Sequence, residues 1–270
     1  MDFPPFLRRT NMEPDITTEE PSREHVAEEL VRCKDSLPYF ARTYFRVPHG
    51  HPAEMRPFVP RPRQKEELQK ICDERLQMSS WYRQAGYTTV ACAFVLWKTL
   101  FCTPHFTLVT SASDGTVDMD MDIVTRAYDA LPDWMKPGVK ERKTNLLRLE
   151  NGSSVAGERA TPGKPRGYAP DLTFFDDFGY APAATVDFFL KSEFPVYSAS
   201  ARRRMILACM GGSCRGAAEL WKGVKAGVDV RKSEFYWYED PRLDDMWAAG
   251  RRREIGDTMF GIQYEGTSLR

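Results

Sequence analysis

Short β-rich runs alternate with helical patterns through the middle of the chain, and this alternation constrains the fold more than any other feature. The candidate strands are residues 78–82, 106–112, 172–175 and 205–209, and helical patterns occupy 86–101 and about 115–131. Strands that are separated by helices pair in parallel, with the helices packed on the faces of the sheet. The pattern therefore predicts an α/β fold with a mostly parallel sheet and flanking helices.

The segments before this region have a different texture. Residues 1–36 hold nine acidic and five basic residues and four prolines, which predicts a mobile acidic N-terminal arm that ends in a short helix at 22–34. Helical spacing of apolar residues follows in SLPYFARTYFRV (36–47), and a charged amphipathic helix is predicted at 63–76. Asn151-Gly152 predicts a tight hairpin turn, because the turn needs positive φ angles.

The charge balance gives no general sign of nucleic-acid binding. The chain has 38 basic and 38 acidic residues, so contact with DNA would require a local patch. The arginine triplets 202–204 and 251–253 are the candidates, and a solvated helix or strand end explains either of them equally well.

Three alternating aspartates invite a metal-site interpretation. Asp118, Asp120 and Asp122 are separated by Met119 and Met121 within a segment of helical spacing. We favour the alternative, in which these carboxylates form the solvated face of an amphipathic helix.

A candidate phosphate-binding loop joins a strand to an apolar helix. In the segment RQAGYTT (83–89), backbone N–H groups at the start of the helix would surround phosphate oxygens, and the Thr88 hydroxyl would hold Mg²⁺. The position where a lysine would reach the β- and γ-phosphates is Tyr87. Taken alone, the segment is also compatible with an ordinary strand-to-helix turn.

A second candidate segment is a buried strand that ends in two carboxylates. The run LTFF (172–175) is followed by Asp176 and Asp177. In a nucleotide hydrolase, Asp176 would bind Mg²⁺ through water and Asp177 would orient the attacking water. A strand that ends in a charged turn is the alternative.

These segments, taken in order, resemble the ATPase domain of the large terminase subunit of tailed phages. The resemblance covers nearly all of residues 37–270. It is carried by LPYFARTYF, RPRQKEELQK, RQAGYTT, LENGSSVAGERATPGKPRGYAPDLTFFDDFGYAP and the final EGTS. It implies a P-loop NTPase-type fold with a small C-terminal lid subdomain at 215–262, which uses ATP and Mg²⁺ and drives viral DNA packaging.

The resemblance also implies roles for individual residues. Gln64 matches the glutamine that reads adenine, and Arg83 matches an arginine that stabilises the transition state in cis. Asp177 would be catalytic, and Thr88 and Asp176 would hold Mg²⁺. The implied nucleotide-binding positions are Gln64, Gln84, Ala85, Gly86, Tyr87, Thr88 and Thr89. The implied coupling motif is Ala208, Cys209, Met210, Gly211 and Gly212.

The chain departs from the family pattern at three places in this site. Tyr87 replaces lysine, and a neutral phenol cannot neutralise phosphate charge, which is worth about 1.5–3 kcal/mol per charge-assisted bond. Its bulk would also obstruct the pocket. Asp177 replaces the usual glutamate, and Ala208 begins a motif that lacks the usual hydroxyl and amide groups.

Two hypotheses follow from these departures. In the first, the chain is the ATPase half of a split packaging motor with weak turnover, and a basic residue from elsewhere, such as Lys164, supplies the missing charge. In the second, it is an inactive pseudo-ATPase without a cofactor, which acts as a partner-binding or regulatory subunit of the packaging machinery. An unrelated nucleotide-binding module is the remaining alternative.

The resemblance extends to partners and location. Large terminases continue past EGTS into a nuclease domain, so we expect no nuclease activity from this chain. Expected partners are the portal protein, the small terminase subunit or a separate nuclease-domain chain, and double-stranded DNA contact and a ring of subunits stay open. The expected location is the host cytoplasm, with transient binding to the viral prohead and none to membranes.

Overall fold

The computed structural model describes residues 21–50, 54–162, 169–209, 215–223, 230–267 and 269, which form nine α-helices and ten strands. The helices are α1 Arg23–Asp35, α2 Leu37–Thr43, α3 Pro62–Lys70, α4 Tyr87–Phe101, α5 Asp114–Asp129, α6 Ala183–Ser198, α7 Arg215–Trp221, α8 Asp245–Ile255 and α9 Asp257–Tyr264. The strands are β1 Arg46–His49, β2 Glu54–Pro57, β3 Leu76–Trp81, β4 Phe106–Ser111, β5 Val139–Lys143, β6 Leu146–Leu149, β7 Ser154–Arg159, β8 Leu172–Phe175, β9 Arg204–Ala208 and β10 Arg231–Phe235.

Eight of these strands form one central sheet. Their order is β10-β3-β9-β8-β4-β7-β6-β5, and every neighbouring pair from β10 to β7 is parallel. The pairs β7–β6 and β6–β5 are antiparallel and extend the sheet at one edge. The predicted α/β fold with a mostly parallel sheet is therefore confirmed.

The core explains why the middle of the chain is so apolar. All six residues of β3 and all four of β8 are buried, as expected for parallel strands covered on both faces. Helix α4 is buried on nearly all sides, because it lies between the sheet and the surrounding helices; its only partly exposed residues are Thr88, Thr89, Lys98 and Phe101.

The order of the strands creates a crevice at the carboxyl end of β3. The neighbours of β3 are β9 and β10, which both come much later in the chain. The next strand in sequence, β4, lies three places away on the β9 side, whereas β10 lies on the other side of β3. In open α/β sheets such a reversal point is where ligands bind. The loop between β3 and α4 lies at this point.

One local prediction is confirmed and three need correction. β6 and β7 form the predicted hairpin. The predicted tight turn is wrong, because the connection 150–153 has four residues and only Gly152, at a φ of +85°, has a positive φ. The helix predicted at 63–76 ends at Lys70, because Leu76 is needed as the first buried residue of β3. The helix predicted at 36–47 ends at Thr43, since Val47 and Pro48 favour extended backbone and form β1.

The end of the predicted arm packs against the core. Residues 1–20 lie outside the described residues, but Cys33 of α1 is fully buried and its carbonyl accepts a 2.7 Å hydrogen bond from Trp97 Nε1. Glu29 accepts hydrogen bonds from the hydroxyls of Tyr39 and Tyr44. Among the described residues, no helix has both the length and the hydrophobicity that a bilayer crossing requires.

The arginine triplets are largely engaged within the chain. Arg203 and Arg204 lie at the start of β9. Arg203 donates to the carbonyl of Val196, and Arg204 donates to the carbonyl of Glu74. In the second triplet, Arg251 and Arg252 of α8 make their contacts through ion pairs with nearby carboxylates, those of Glu254, Asp257 and Glu265. These contacts favour the interpretation of both triplets as element ends.

Candidate nucleotide site

The loop between β3 and α4 is fixed by backbone geometry and by later parts of the chain. Gln84 and Gly86 adopt positive φ angles of 69° and 81°. The N–H of Tyr82 donates to Phe235 O at 2.7 Å, and the N–H of Arg83 donates to Gln263 O at 2.8 Å. The loop is therefore held in one shape by β10 and α9.

The first turn of α4 presents the groups that an anion needs. Gly86 is the N-cap of α4, so the N–H groups of Tyr87, Thr88 and Thr89 have no partner within the helix. The positive end of the helix dipole points the same way. Thr88 and Thr89 are partly exposed, so an anion can reach these groups.

The loop and the acidic strand end meet through one hydrogen bond. Thr88 Oγ1 donates to Asp176 Oδ2 at 2.9 Å, and Asp176 is only 3% exposed. Burial, together with the neighbouring Asp177, raises the pKa of Asp176 to about 7. Mg²⁺ in nucleotide sites is bound by hard oxygen ligands from the protein together with phosphate oxygens of the substrate. Thr88 Oγ1 and Asp176 Oδ2 are oxygen ligands of this kind, so the pair fits the ion.

The second aspartate lies beside the loop arginine. Burial raises the pKa of Asp177, while the charge of Arg83 and a hydrogen bond from Thr116 oppose that shift. Asp177 has a φ of 52°, and its N–H donates to Asp176 Oδ1 at 2.9 Å. The structure thus brings Arg83 and Asp177, which were predicted as catalytic, to the same end of the sheet.

Tyr87 places its side chain in the core and not at the surface of the loop. Its side chain is 1% exposed, its hydroxyl accepts a 2.6 Å hydrogen bond from Gln77 Nε2, and its ring meets Trp81 edge-on. Burial raises the pKa of this phenol well above its ordinary value. The phenol therefore points away from the surface of the loop, and the expected obstruction by its bulk is not found.

Beneath Tyr87 lies a buried polar network. Glu67 is completely buried and pairs with both terminal nitrogens of Arg231, at 3.1 and 3.2 Å. Gln77 donates to both Glu67 and Tyr87, and Ser233 donates to Glu67 at 2.7 Å. The network links α3, β3, α4 and β10 next to the loop between β3 and α4.

Gln64 spans the gap between α3 and the loop. Its amide nitrogen donates to Ala85 O at 3.1 Å, and its amide oxygen accepts from the N–H of Arg61 at 2.9 Å. A Cβ atom on Gly86 would lie 2.5 Å from this amide nitrogen, and the φ of 81° is one that other residues rarely adopt, so both features favour glycine there. The predicted adenine-reading residue is thus in direct contact with the loop.

The predicted coupling motif lies only partly within the described residues. Ala208 and Cys209 are fully buried at the end of β9, and the N–H of Cys209 donates to Ser79 O at 2.9 Å. Because β9 lies between β3 and β8, both residues reach the same edge as the loop and Asp176. The remaining predicted positions, Met210, Gly211 and Gly212, and also Lys164, lie outside the described residues.

The predicted solvated face of three aspartates is wrong at its centre. Asp118 and Asp122 are exposed, but Asp120 is 2% exposed and hydrogen-bonds Asp176. Burial and the carboxylates of Asp176 and Asp177 raise its pKa well above the ordinary value. In the part of the chain that the structure describes, no group of three or more His, Cys, Asp or Glu side chains is arranged to hold a metal ion.

Asp120 and Arg61 are the neighbours of this site that the sequence prediction missed. Helical periodicity could have revealed Asp120, because residues two apart in a helix point in nearly opposite directions. Arg61, which donates to Ala85 O, precedes Gln64 by three positions in a proline-rich loop, and no pattern there predicts the contact.

Comparison with known proteins identifies the fold. No family model matches the chain. The HK97 bacteriophage large terminase superposes with a TM-score of 0.67 at 15% identity, covering 86% of this chain and 54% of that one. The ATPase domain of the Thermus phage P74-26 large terminase gives 0.61 at 15% identity, covering 77% and 94%.

A third solved structure is a large terminase from a thermophilic bacteriophage, in complex with ATP-gamma-S. It gives a TM-score of 0.56 at 12% identity, covering 78% of this chain and 53% of that one. The chain thus spans about half the length of this terminase and of the HK97 protein. Its fold is that of a large terminase ATPase domain.

Proposed function

We propose that this chain is a terminase-type nucleotide-binding domain that takes Mg–ATP at the loop between β3 and α4. The observation that carries the proposal is the hydrogen bond from Thr88 Oγ1 to Asp176 Oδ2. It joins the hydroxyl and the carboxylate that a magnesium–nucleotide site needs, one from a helix start and one from a strand end. The structures of the thermophilic-phage terminase with ADP and with ATP-gamma-S add support from the same fold.

The chemistry that these residues favour is slow hydrolysis. Magnesium would lower the negative charge on the phosphates, and Asp177 would orient a water molecule while Arg83 stabilises developing charge. Tyr87 adds no positive charge, since its phenol is buried against Gln77 and is neutral. A loss of one charge-assisted contact of about 1.5–3 kcal/mol corresponds to about one to two powers of ten in affinity or rate.

The biological setting that we propose is viral DNA packaging. The portal protein, the small terminase subunit or a separate nuclease-domain chain are the proposed partners, with double-stranded DNA as the proposed cargo of the assembled motor. Its proposed location is the host cytoplasm and, during packaging, the prohead. These assignments rest on the fold shared with packaging ATPases.

The decisive experiment measures ATP binding in the presence and absence of Mg²⁺ by titration calorimetry. The variants are Thr88→Ala and Asp176→Asn, and the control is Thr144→Ala, an exposed threonine in the turn between β5 and β6. We expect both site variants to weaken Mg-dependent binding by about tenfold or more, because each removes one metal-side oxygen. Absence of ATP binding by the unmodified chain would refute the proposal.

A second candidate is the pseudo-ATPase, which the buried position of Tyr87 favours. It predicts that ATP is not hydrolysed and that the chain acts through partners of the packaging machinery. A single-turnover assay with radiolabelled ATP separates the slow ATPase from the pseudo-ATPase. The variant Asp177→Asn serves as the reference, because it lacks the carboxylate that would orient the attacking water. Phosphate release by the unmodified chain above the level of that variant supports the slow ATPase, and equal levels support the pseudo-ATPase.

A further inference from the structure

Arg61 makes a direct contact with the loop that surrounds the phosphates in the proposed function, on which this inference rests. The residue immediately precedes α3, and its Nη2 donates to Ala85 O. The same nitrogen would lie 3.2 Å from a Cβ atom on Gly86. The guanidinium therefore lies against the two residues that come just before Tyr87 in the loop.

Arg61 also lines a cavity of about 430 Å³ between the start of α3 and the segment that follows β10, together with Phe235, Asp240 and two further arginines. Arg63 pairs with Glu66 at 2.9 Å. Arg242 binds Asp240 through two nitrogens, at 2.7 and 2.9 Å. Within the described ranges, Arg61 is the one arginine of this cavity that has no carboxylate partner within 4 Å.

The surroundings of Arg61 compensate its charge only in part. Asp240 attracts the guanidinium and Tyr82 hydrogen-bonds with it. Asp240 is, however, already bound by Arg242 and by the hydroxyl of Tyr82, which donates to it at 2.6 Å. Burial and the charge of Arg242 both disfavour a further cation here and lower the pKa of Arg61. An arginine stays protonated under such conditions, so a bound anion would offset the repulsion between the two guanidinium groups.

We propose that Arg61 binds phosphate oxygens of the nucleotide and supplies the positive charge that the loop lacks at Tyr87. The planar guanidinium carries five donors, so one can stay on Ala85 O while others contact phosphate. The phosphate-binding loop would thus be completed by a cation from the start of α3 and not from the start of α4. This assigns a ligand-binding role to a residue that the loop pattern does not contain.

The test compares ADP with adenosine, because only ADP carries phosphates. Calorimetry of Arg61→Gln, which keeps a donor for Ala85 O but loses the charge, is expected to weaken ADP binding by about tenfold to a hundredfold. Adenosine binding is expected to stay within about threefold. Arg61→Lys keeps the charge and is expected to recover most of the ADP affinity, although it lacks the planar fork.

Arg63→Gln is the matched control, since Arg63 lines the same cavity but is paired with Glu66. We expect it to leave the difference between ADP and adenosine unchanged. Labelling of the unmodified chain with phenylglyoxal, followed by mass spectrometry, gives a reading that needs no variant. ADP is expected to protect Arg61 from modification, whereas adenosine is not.

The outcomes separate this inference from the proposed function. If the unmodified chain binds ADP but Arg61→Gln binds it equally well, or if adenosine protects Arg61 as fully as ADP, the inference is wrong and the nucleotide site stands. An equal loss of ADP and adenosine affinity in Arg61→Gln also overturns it, because the residue would then act on the base or the loop. If the unmodified chain binds neither ligand, both proposals fall.

Discussion

Asp120 and Asp176 share a hydrogen bond in the interior, although one comes from the middle of α5 and the other follows β8. The second oxygen of Asp120, Oδ2, has no hydrogen-bond partner. Two carboxyl groups in contact cannot both be ionised at low cost, so a proton is held between them. The charge state of the proposed magnesium ligand is thus tied to a helix that the sequence places at the surface.

This pair predicts a pH-dependent stability. The folded pKa of Asp176 is about 7, above the unfolded value of about 3.9, so its stabilising contribution is complete below about pH 4 and is lost as pH rises through 7. His105 acts in the opposite direction below about pH 6.5, because burial lowers its pKa to about 4. We therefore compare the unmodified chain with Asp176→Asn, which removes the contribution of Asp176 together with its effect on the pKa of Asp120, and leaves His105 unchanged.

Urea denaturation at pH 5, 6, 7 and 8 is the measurement. Relative to Asp176→Asn, the unmodified chain should lose on the order of 1.4 kcal/mol of unfolding free energy per pH unit up to about pH 7, and little above it. Asp118→Asn, on the exposed face of α5, should show the pH dependence of the unmodified chain. A constant difference between the chain and Asp176→Asn at all four pH values would contradict the prediction.

Tyr87→Phe should destabilise the fold, although it leaves the packing of the ring in the core unchanged. The ring stays, but Gln77 Nε2 loses one of its two acceptors in a buried place. An unsatisfied buried donor costs about 1–3 kcal/mol. Thermal and urea unfolding measure the change, and Tyr238→Phe is the control, since Tyr238 is 56% exposed. Equal stability of the two variants would show that the hydrogen bond contributes nothing.

Tyr87→Lys should cost more than Tyr87→Phe, even though it recreates the lysine of the family pattern. The ring packs against Trp81, and its removal leaves a cavity that a lysine stem fills poorly. We expect a loss of about 2–4 kcal/mol, whichever way the amine points. A variant as stable as the unmodified chain would mean that the lysine replaces the phenol without strain.

Arg231→Met should be strongly destabilising. It would leave Glu67 as a buried carboxylate without its cation, at a cost of about 3–5 kcal/mol. Lys191→Met, which removes one partner of an exposed pair on α6, should change stability by less than about 0.5 kcal/mol. The double variant Glu67→Leu with Arg231→Met should recover part of the loss in denaturant unfolding. A mild effect of Arg231→Met alone would contradict the prediction.

Gly86→Ala and Gly250→Ala should change stability in opposite directions. A methyl group on Gly86 meets the Gln64 amide at 2.5 Å, at a φ of 81°, so the loop must shift, and we expect a loss of about 1–3 kcal/mol. Gly250 lies in α8 with open space around it, and alanine there should stabilise the helix by up to about 1 kcal/mol. Circular dichroism melts of both variants provide the check, and a neutral Gly86→Ala would contradict the tight packing at the loop.

The sequence was informative where one local pattern determined the outcome. The four buried residues of β8 and the hairpin of β6 and β7 were predictable, because a short β-rich run and an Asn-Gly pair between two such runs leave few alternatives. Asp120 was misassigned because alternating acidic residues suggested exposure, whereas a helix turns them to opposite sides.

The contacts around the loop were less predictable, since they join segments that are remote in the chain. Nothing near Tyr87 in the sequence indicates that Gln77 and Glu67 would surround its hydroxyl. Likewise, the contact of Arg61 with Ala85 depends on how α3 docks beside the loop. Such contacts follow from the packed fold and not from spacing.

The hydrogen bonds from Tyr82 and Arg83 to Phe235 and Gln263 have a consequence for biosynthesis. The two carbonyls that fix the loop are translated long after the loop itself. A nascent chain that has already exposed β3 and α4 therefore still lacks the two carbonyls that fix the shape of its β3–α4 loop. Under the proposed function, nucleotide binding is expected only after synthesis has passed residue 263.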